Sequence, residues 1–217
     1  VKKMSYTLSP TSLSLFKDCP RCFWRQFKEG VKRPNGIFPS LPSGMDRILK
    51  EHFDYFMKRG ELPPELHTLK HMRLFDDEPI LSQWRNFRKG IRWSDEKGNV
   101  ICGAIDNILV HKEKLVVLDY KTRGFPLKND THEYYQDQLN VYCYLLHQNG
   151  YEVEDYAYLL FYHPNKVTTT GEVLFHNDLK KIEISTGDAE RLIQKAINLL
   201  NGDCPSKKCV WCQLNKD

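Results

Sequence analysis

Two hydrophobic periodicities divide the chain near residue 90. Before that point apolar residues recur at the spacing of helices, and after it they alternate at the two-residue spacing of strands. The first part predicts helices that begin at Ser9-Pro10, run from Pro20 to Phe27, from about Ser43 to Lys58 and from about Ile80 to Lys89. Residues 30–43 contain three prolines and Gly36, so we expect a loop there.

The alternating part predicts five strands with one long helix between them. The strand candidates are Ile91–Trp93, Val100–His111, Lys114–Thr122, Asp155–His163 and Lys166–Phe175. Helices are predicted over about Thr131–Gln148 and from near Thr186 to Leu200. This order indicates a mixed α/β sheet with a crossover, in one domain. We divide it into an N-terminal arm (1–42), a core (43–200) and a cysteine-rich tail (201–217).

Composition narrows the class of protein. The chain has 217 residues, of which 41% are hydrophobic and 28% charged, which excludes global disorder. The longest apolar run, Tyr156 to Tyr162, is far shorter than the roughly 20 residues of a membrane span, and the start lacks a signal-peptide pattern. We therefore expect a cytoplasmic protein that does not insert into membranes. Net charge is only +4, but residues 1–33 hold eight cations and two anions, which suits either a phosphate backbone or a solvated helix face.

Two aspartates and a lysine are predicted to converge on the sheet. If Lys112-Glu113 forms a two-residue turn, paired positions sum to 225 and Asp106 lies opposite Asp119. Alternation places Lys121 on the same face as Asp119. Opposed carboxylates about 5 Å apart repel by about 3 kcal/mol at an effective dielectric of about 20. Either Lys121 offsets this repulsion as a structural ion pair, or a divalent cation such as Mg²⁺ binds there.

The metal interpretation is favoured because the flanking residues are apolar, and buried strands rarely carry charged residues without a reason. A bound metal would polarise a phosphate and lower the pKa of a water molecule, while the lysine would orient that water and stabilise developing negative charge. The predicted chemistry is phosphodiester hydrolysis.

Five of the seven cysteines lie near the two ends of the chain. Cys19 and Cys22 form one Cys-x2-Cys pair and Cys209 and Cys212 form another, the spacing that supplies two thiolates from each segment to a tetrahedral metal site. Cys204 is a further candidate. Cysteines that stay reduced and bind no metal are the alternative.

Three segments carry a resemblance to a known family. Gly103-Ala-Ile-Asp106, Val117-Leu-Asp119-Tyr-Lys121-Thr122 and Gln138-Leu-Asn-Val-Tyr142 resemble motif II, motif III and the Gln-x3-Tyr signature of PD-(D/E)XK nucleases. The RecB-like branch, which includes CRISPR-associated iron–sulfur exonucleases, is the most similar. With the first helix, the Gly44 helix and the terminal cysteines, the resemblance extends in order from Ser9 to Cys212.

The resemblance implies a restriction-endonuclease-like fold, a mixed central β-sheet flanked by helices. It implies that Asp106 and Asp119 bind Mg²⁺ or Mn²⁺, with the Tyr120 carbonyl as a third ligand, and that Lys121 is the catalytic lysine. Gln138 and Tyr142 would contact DNA or order that lysine.

The resemblance also implies a cofactor at the cysteines. The iron–sulfur relatives suggest a 4Fe-4S cluster on Cys19, Cys204, Cys209 and Cys212, whereas the pair spacing indicates structural Zn²⁺ on Cys19, Cys22, Cys209 and Cys212. Family resemblance favours the cluster and spacing favours zinc.

One position departs from the family. The branch has a histidine four residues after the helix glycine, where this chain has Ile48; Asp46, Glu51 and His52 are nearby but do not match that spacing. The first hypothesis is a metal-dependent DNA nuclease of repair, recombination or defence, acting on single-stranded DNA or duplex ends, alone or with a helicase or CRISPR-type partner. The alternative is a catalytically weakened module that binds nucleic acid or docks a partner; a zinc-stapled RNA-binding protein is a third option.

Overall fold

The computed structural model describes residues 5–214, so the outermost residues of the predicted arm and tail, 1–4 and 215–217, lie outside it. Helices and strands follow the predicted order. They are β1 (Thr7–Leu8), α1 (Pro10–Asp18), α2 (Pro20–Lys28), α3 (Ser40–Arg59), a 3-10 turn (Pro64–Leu66), β2 (Arg73–Leu74), α4 (Glu78–Arg85), β3 (Ile91–Ser94), β4 (Val100–Gly103), β5 (Asn107–His111), β6 (Lys114–Thr122), a second 3-10 turn (Thr131–Tyr135), α5 (Gln136–Gln148), β7 (Tyr156–Val167), β8 (Val173–Glu183), α6 (Thr186–Leu200) and α7 (Val210–Leu214).

The strands form two sheets. The larger has five strands in the order β2-β5-β6-β7-β8, and the smaller has three in the order β1-β4-β3. Within the larger sheet β6 and β7 are parallel, while the other neighbours are antiparallel. Helix α5 connects the two parallel strands, as a parallel pair requires a crossover. The predicted mixed α/β sheet flanked by helices is confirmed.

The predicted turn between β5 and β6 is also confirmed. Lys112 and Glu113 have positive φ angles of 47° and 67°, the backbone of a type I′ hairpin turn. His111 pairs with Lys114, so paired positions sum to 225 as predicted. This register brings Asp106 and Asp119 to the position just beyond the last paired residues of the hairpin.

The predicted strand Val100–His111 is wrong in one respect, because it is two strands in different sheets. Residues 104–106 break the ladder: the Ile105 N–H donates to the Trp84 carbonyl at 3.0 Å, and Arg85 Nε donates to the Asp106 carbonyl at 2.6 Å. The end of α4 thus binds the backbone that would otherwise pair with a strand. The apolar alternation continues through the break, which is why the sequence pattern does not reveal it.

Other boundaries also differ from the prediction. Helix α4 ends at Arg85 and not at Lys89, and the helix predicted over Thr131–Gln148 is a 3-10 turn (Thr131–Tyr135) followed by α5. Helix α3 begins at Ser40, inside the predicted loop, because Pro42 lies in its first turn, where a missing N–H costs no helical hydrogen bond. Strand β7 continues past Pro164, with an irregular register between Pro164 and Lys166, and the hairpin turn follows Val167 instead. The last predicted strand, Lys166–Phe175, therefore begins and ends earlier in the chain than β8 does.

The core lies on both faces of the larger sheet. Its largest fully buried side chains include Phe23, Phe53 and Phe161, contributed by α2, α3 and β7. Within residues 5–214, no helix combines the length and the hydrophobicity needed to cross a membrane.

Candidate active site and cysteine cluster

An acidic pair lies at the end of the β5–β6 hairpin. Asp119 on β6 is 1% exposed, and its Oδ2 is 2.5 Å from Lys121 Nζ. That oxygen has no partner with hydrogen-bond geometry among the described residues, while Oδ1 accepts a hydrogen bond from Gln138 Nε2 at 3.3 Å. Asp106 Oδ2 accepts the backbone N–H of Tyr120 at 3.3 Å. The hairpin therefore holds both carboxylates on one site.

Burial sets the protonation of this group. It raises the pKa of Asp119 to about 7, and the neighbouring Asp106 adds to that rise, although Lys121 opposes it. Burial by itself would lower the pKa of Lys121, but Asp119 and Asp106 raise it instead. The lysine is therefore an ammonium, and Asp119 exchanges its proton near neutral pH.

Helix α5 supplies the polar wall of the site. Gln138 Nε2 donates to the Tyr142 hydroxyl at 2.8 Å, one helical turn away, as well as to Asp119. The Tyr142 ring packs on Gly103, where an added Cβ would lie 2.7 Å from a ring carbon. This packing holds the Tyr142 ring in place, and Tyr142 in turn holds Gln138 beside Asp119.

All the residues expected at the nuclease-like site meet in one cavity. A cavity of about 380 Å³ is lined by Asp106, Asp119, Tyr120, Lys121, Gln138 and Tyr142, with Asp46 and Leu49 from α3. The roles predicted for these side chains stay predictions, but their positions allow them to act together.

Sequence reasoning missed a second lysine. Lys50 Nζ is 3.2 Å from Asp106 Oδ1 and 2.8 Å from Asp46 Oδ2. Burial opposes the charge on Lys50, but Asp106 and Asp46 raise its pKa, so it is cationic. Ile48, which stands where the family has a histidine, is 45% exposed. The four-residue spacing of Asp46 and Lys50 was the available signal, since it places both on one face of a helix.

The other two nearby candidates lie elsewhere. Glu51 forms an exposed ion pair with Arg47, and His52 Nε2 is 3.2 Å from a carboxylate oxygen of Glu65. Neither side chain contacts the acidic pair in an interaction that the structure describes. Of the residues near Ile48, Asp46 is the carboxylate at the site.

Four cysteines from the two ends of the chain form a cluster. The Sγ atoms of Cys19, Cys22, Cys209 and Cys212 all lie within 4.8 Å of one another. The separations include 3.2 Å for Cys22–Cys212, 3.5 Å for Cys22–Cys209, 3.6 Å for Cys209–Cys212 and 3.8 Å for Cys19–Cys212. Cys204 is not in this group; its Sγ lies 3.8 Å from the Pro205 carbonyl. The structure therefore brings together the two Cys-x2-Cys pairs and not the set that includes Cys204.

Arg33 adds a positive charge to the cluster. Its Nη2 lies 3.6 Å from Cys209 Sγ, and it was not predicted from the sequence. Burial raises the pKa of Cys22 to about 12 despite Arg33. Burial also acts to raise the pKa of Cys209, but hydrogen bonds from the Cys212 backbone and from neighbouring thiols lower it to about 6. One thiolate is thus present at neutral pH to begin metal binding.

Solved structures and a family model are similar to this chain. No curated protein matches the sequence. The crystal structure of SSO0001 is similar in fold, with 14% sequence identity and a TM-score of 0.44 over 94% of this chain and 81% of that chain.

A family model gives the remaining comparison. The model of the PD-(D/E)XK nuclease superfamily matches residues 45–216, which include the acidic pair, Lys121, the Gln138–Tyr142 helix and the second cysteine pair. Because the match covers most of the chain, this protein belongs to the PD-(D/E)XK nuclease superfamily.

Proposed function

We propose that the protein is a metal-dependent nuclease that hydrolyses phosphodiester bonds in DNA. The observation that carries this proposal is the buried Asp119 carboxylate, which has Lys121 at 2.5 Å and Asp106 beside it in an accessible cavity. Burying two acids together is unfavourable unless a cation joins them. A nuclease needs that arrangement, and a purely structural sheet does not.

The residues at this site fit a hard divalent ion. Asp119 Oδ2 is buried and faces Lys121, but makes no contact with hydrogen-bond geometry in the described part of the chain, and Asp106 supplies a second carboxylate. Asp106, Asp119 and the Tyr120 carbonyl would hold Mg²⁺ or Mn²⁺, which prefer oxygen ligands. When bound, such an ion polarises the scissile phosphate and lowers the pKa of a coordinated water.

The side chains of this chain supply the remaining chemistry. The Lys121 ammonium is placed to orient the attacking water and to stabilise negative charge on the phosphate. Gln138 holds Asp119 Oδ1, which directs the other carboxylate oxygen toward Lys121. Tyr142 holds Gln138 in turn, so it is a positioning residue.

A larger cavity next to the site supports a nucleic-acid substrate. It has a volume of about 920 Å³ and shares Gln138 and Tyr142 with the site. Its lining includes the exposed rings of Phe87 and Tyr134, which can stack on unpaired bases. The charges on the lining are mixed, with Lys17, Lys89 and Arg92 beside four acids, so the rings rather than the charges support a nucleic-acid substrate. We therefore retain single-stranded DNA or duplex ends as the substrate and a cytoplasmic location, with a helicase or CRISPR-type partner and a RecB-like affiliation as extensions of the proposal.

The test compares cleavage of end-labelled single-stranded and duplex DNA in Mn²⁺, Mg²⁺ or EDTA. We expect cleavage with Mn²⁺ or Mg²⁺ only, and a loss on the order of 100-fold or more in Asp119→Asn and in Lys121→Gln, because each removes an electrostatic contribution to the transition state. Lys114→Gln is the control, since Lys114 is exposed on the same strand. A wild-type protein that binds DNA but leaves it intact with Mn²⁺ would contradict the catalytic proposal.

A binding module is the second candidate function, and Lys50 is the observation that favours it. With Lys50 Nζ 3.2 Å from Asp106 and Lys121 Nζ 2.5 Å from Asp119, each acid already has a protein cation. A site neutralised in this way does not require a metal. If this candidate is correct, the wild type will bind no Mn²⁺ in a calorimetric titration, and Lys50→Met will create binding.

For the cysteine cluster we propose one structural Zn²⁺ ion. Zn–S bonds of about 2.3 Å in a tetrahedron place the sulfurs about 3.8 Å apart. Four of the six sulfur–sulfur separations are 3.2 to 3.8 Å and all six are within 4.8 Å, which fits a single ion. A 4Fe-4S cluster binds each thiolate at a different corner of a cube and needs a wider set of sulfurs. Iron and sulfide analysis of protein purified without oxygen distinguishes the two, with zinc at one per chain expected.

A further inference from the structure

A second group of metal-ligand side chains lies on the hairpin of β7 and β8. His163 pairs with His176 across the strands, and Phe161 pairs with Asp178 two residues along. Because side chains two apart on a strand share a face, His163, His176 and Asp178 lie on the same face. One ligand atom of each lies within 4.8 Å of the other two. The proposed nuclease chemistry uses none of these three residues.

The distances between these atoms match those around one metal ion. Asp178 Oδ2 is 3.4 Å from His163 Nε2, and Asp178 Oδ1 is 3.6 Å from His176 Nε2. Zinc bonds of about 2.0–2.1 Å in a tetrahedron place neighbouring ligand atoms about 3.4 Å apart. The three side chains therefore need little rearrangement to share an ion.

The tautomer of His163 supports a metal. Its Nδ1 is 3.3 Å from the Pro164 carbonyl, which accepts a hydrogen bond in the tautomer that carries the ring proton on Nδ1. The lone pair of Nε2 then faces the carboxylate of Asp178, an arrangement that needs a cation between them or a second proton on the ring. A histidine that donates one ring N–H to a backbone carbonyl and offers the other nitrogen is the usual metal-binding form. The His163 side chain is only 9% exposed, which holds the ring in that orientation.

The site is open on one side. A cavity of about 770 Å³ is lined by all three residues and by His132 and Lys180. The His176 side chain is 54% exposed and lies at the edge. Three protein ligands beside an open cavity leave coordination positions for water or an anionic ligand.

This group is separate from the acidic pair. Lys121 pairs with Phe161 between the parallel strands, so the two sites share a sheet face. The two groups line different cavities, which have no lining residue in common. Two imidazoles and one carboxylate favour Zn²⁺ or a similar transition metal over Mg²⁺.

We propose that His163, His176 and Asp178 form a second metal site, which binds a Zn²⁺-type divalent ion and leaves at least one coordination position open to the cavity. The proposal does not depend on nuclease activity or on the cysteine cluster.

The test measures Zn²⁺ bound per full-length chain by calorimetry and metal analysis, with Mg²⁺ in excess to compete at the acidic pair. We expect the wild type to bind one more Zn²⁺ than His176→Ala or Asp178→Asn, or to bind that ion more tightly by on the order of 100-fold or more. Loss of a metal ligand should reduce the affinity at least as much as loss of the contacts that support a ligand. With Co²⁺ in place of Zn²⁺, the same variants should lose the part of the ligand-field absorption that comes from this site, while the ligand-field and thiolate charge-transfer bands of the cysteine site stay.

His147→Ala is the matched control, because His147 is an exposed histidine on α5. It should bind as many ions as the wild type. Thermal melting without Zn²⁺ checks that each variant folds. Equal Zn²⁺ binding by wild type, His176→Ala and Asp178→Asn would overturn the proposal and leave His163 and Asp178 as an ion pair, and equal loss in His147→Ala would show nonspecific binding by histidine.

Discussion

Asp119 is the residue on which the proposed chemistry depends, and its surroundings explain why. It is a carboxylate in the interior of a sheet, compensated by Lys121 at 2.5 Å and flanked by Asp106, which Lys50 compensates at 3.2 Å. A charge in such a place is destabilising for the fold unless paired. The site therefore carries a cost in stability that binding of a divalent ion would reduce.

The raised pKa of Asp119 makes metal binding dependent on pH. Burial raises it to about 7, so the folded, metal-free protein holds this proton more tightly than the unfolded chain does. A divalent ion must displace that proton. We expect the apparent Mn²⁺ affinity to fall about tenfold per pH unit below about pH 7 and to level off above it.

Calorimetric titration with Mn²⁺ at several pH values measures this dependence. The same pKa shift makes the stability of the fold depend on pH. The Asp119 carboxyl favours the folded state most in acid, where it is protonated, and this contribution to the free energy of unfolding is lost as pH rises toward about 7. Asp119→Asn should bind Mn²⁺ weakly at every pH. A Mn²⁺ affinity that stays constant from about pH 5.5 to about pH 8 would contradict the prediction.

At the scale of single residues, sequence spacing predicted that the two aspartates and Lys121 converge, but not that Lys50 pairs with Asp106. The separation of Asp106, Asp119 and Lys121 follows from strand alternation and one turn, which are local rules. The approach of Lys50 depends on how α3 packs against β6, a tertiary contact. The spacing of Asp46 and Lys50 places both on one helix face, but it does not tell which strand that face meets, so this lysine was missed.

At the scale of elements, the hairpin β5–β6 followed its predicted register, whereas the strand before it did not. Alternation reports which face is buried but not which neighbour a strand hydrogen-bonds. Residues 104–106 keep an apolar pattern while their backbone binds the end of α4. Similarly, one strand was predicted to end at His163 and the next to begin at Lys166, but β7 continues through Pro164 with an irregular register.

The contact between β4 and α5 gives a second prediction. In Gly103→Ala the new Cβ would lie 2.7 Å from a ring carbon of Tyr142, which is 5% exposed and cannot move freely. We expect a loss of about 1–3 kcal/mol in the free energy of unfolding. Cleavage should fall as well, because Tyr142 positions Gln138.

Chemical denaturation and the DNA cleavage assay measure these two effects. Gly124→Ala is the control, since an added Cβ at Gly124 meets no atom within 4 Å. If Gly103→Ala matches Gly124→Ala in both assays, the packing of Tyr142 does not position Gln138.

At the scale of the whole molecule, the cysteine cluster joins segments from opposite ends of the sequence. Cys19 and Cys22 begin α2, and Cys209 and Cys212 lie in and beside α7. The sequence predicted the two pairs from their spacing but left two ligand sets open, since spacing cannot tell where Cys204 lies in space. In the folded chain Cys204 lies outside the cluster, so the four cysteines that converge are those of the two Cys-x2-Cys pairs.

Removal of the metal from this cluster should destabilise the fold. At a free ion concentration about 100 times Kd, binding contributes about 2.7 kcal/mol, which corresponds to about 5–11 °C in Tm for a chain of this size. Calorimetry of the protein with and without a zinc chelator measures the change. Cys209→Ser should show the same fall in Tm without a chelator, and Cys204→Ser should melt as the wild type does. Equal Tm values for the wild type, Cys209→Ser and Cys204→Ser would contradict a structural metal.

The cysteine cluster joins two segments that the ribosome synthesises at different times. A ribosome releases Cys19 and Cys22 early, yet their partners Cys209 and Cys212 follow only after the whole central sheet has been synthesised. Throughout elongation, the nascent chain exposes half of a ligand set, open to oxidation or to binding by a competing metal. We therefore expect the proposed zinc site to form correctly only if the cell keeps these thiols reduced and supplies the ion during translation.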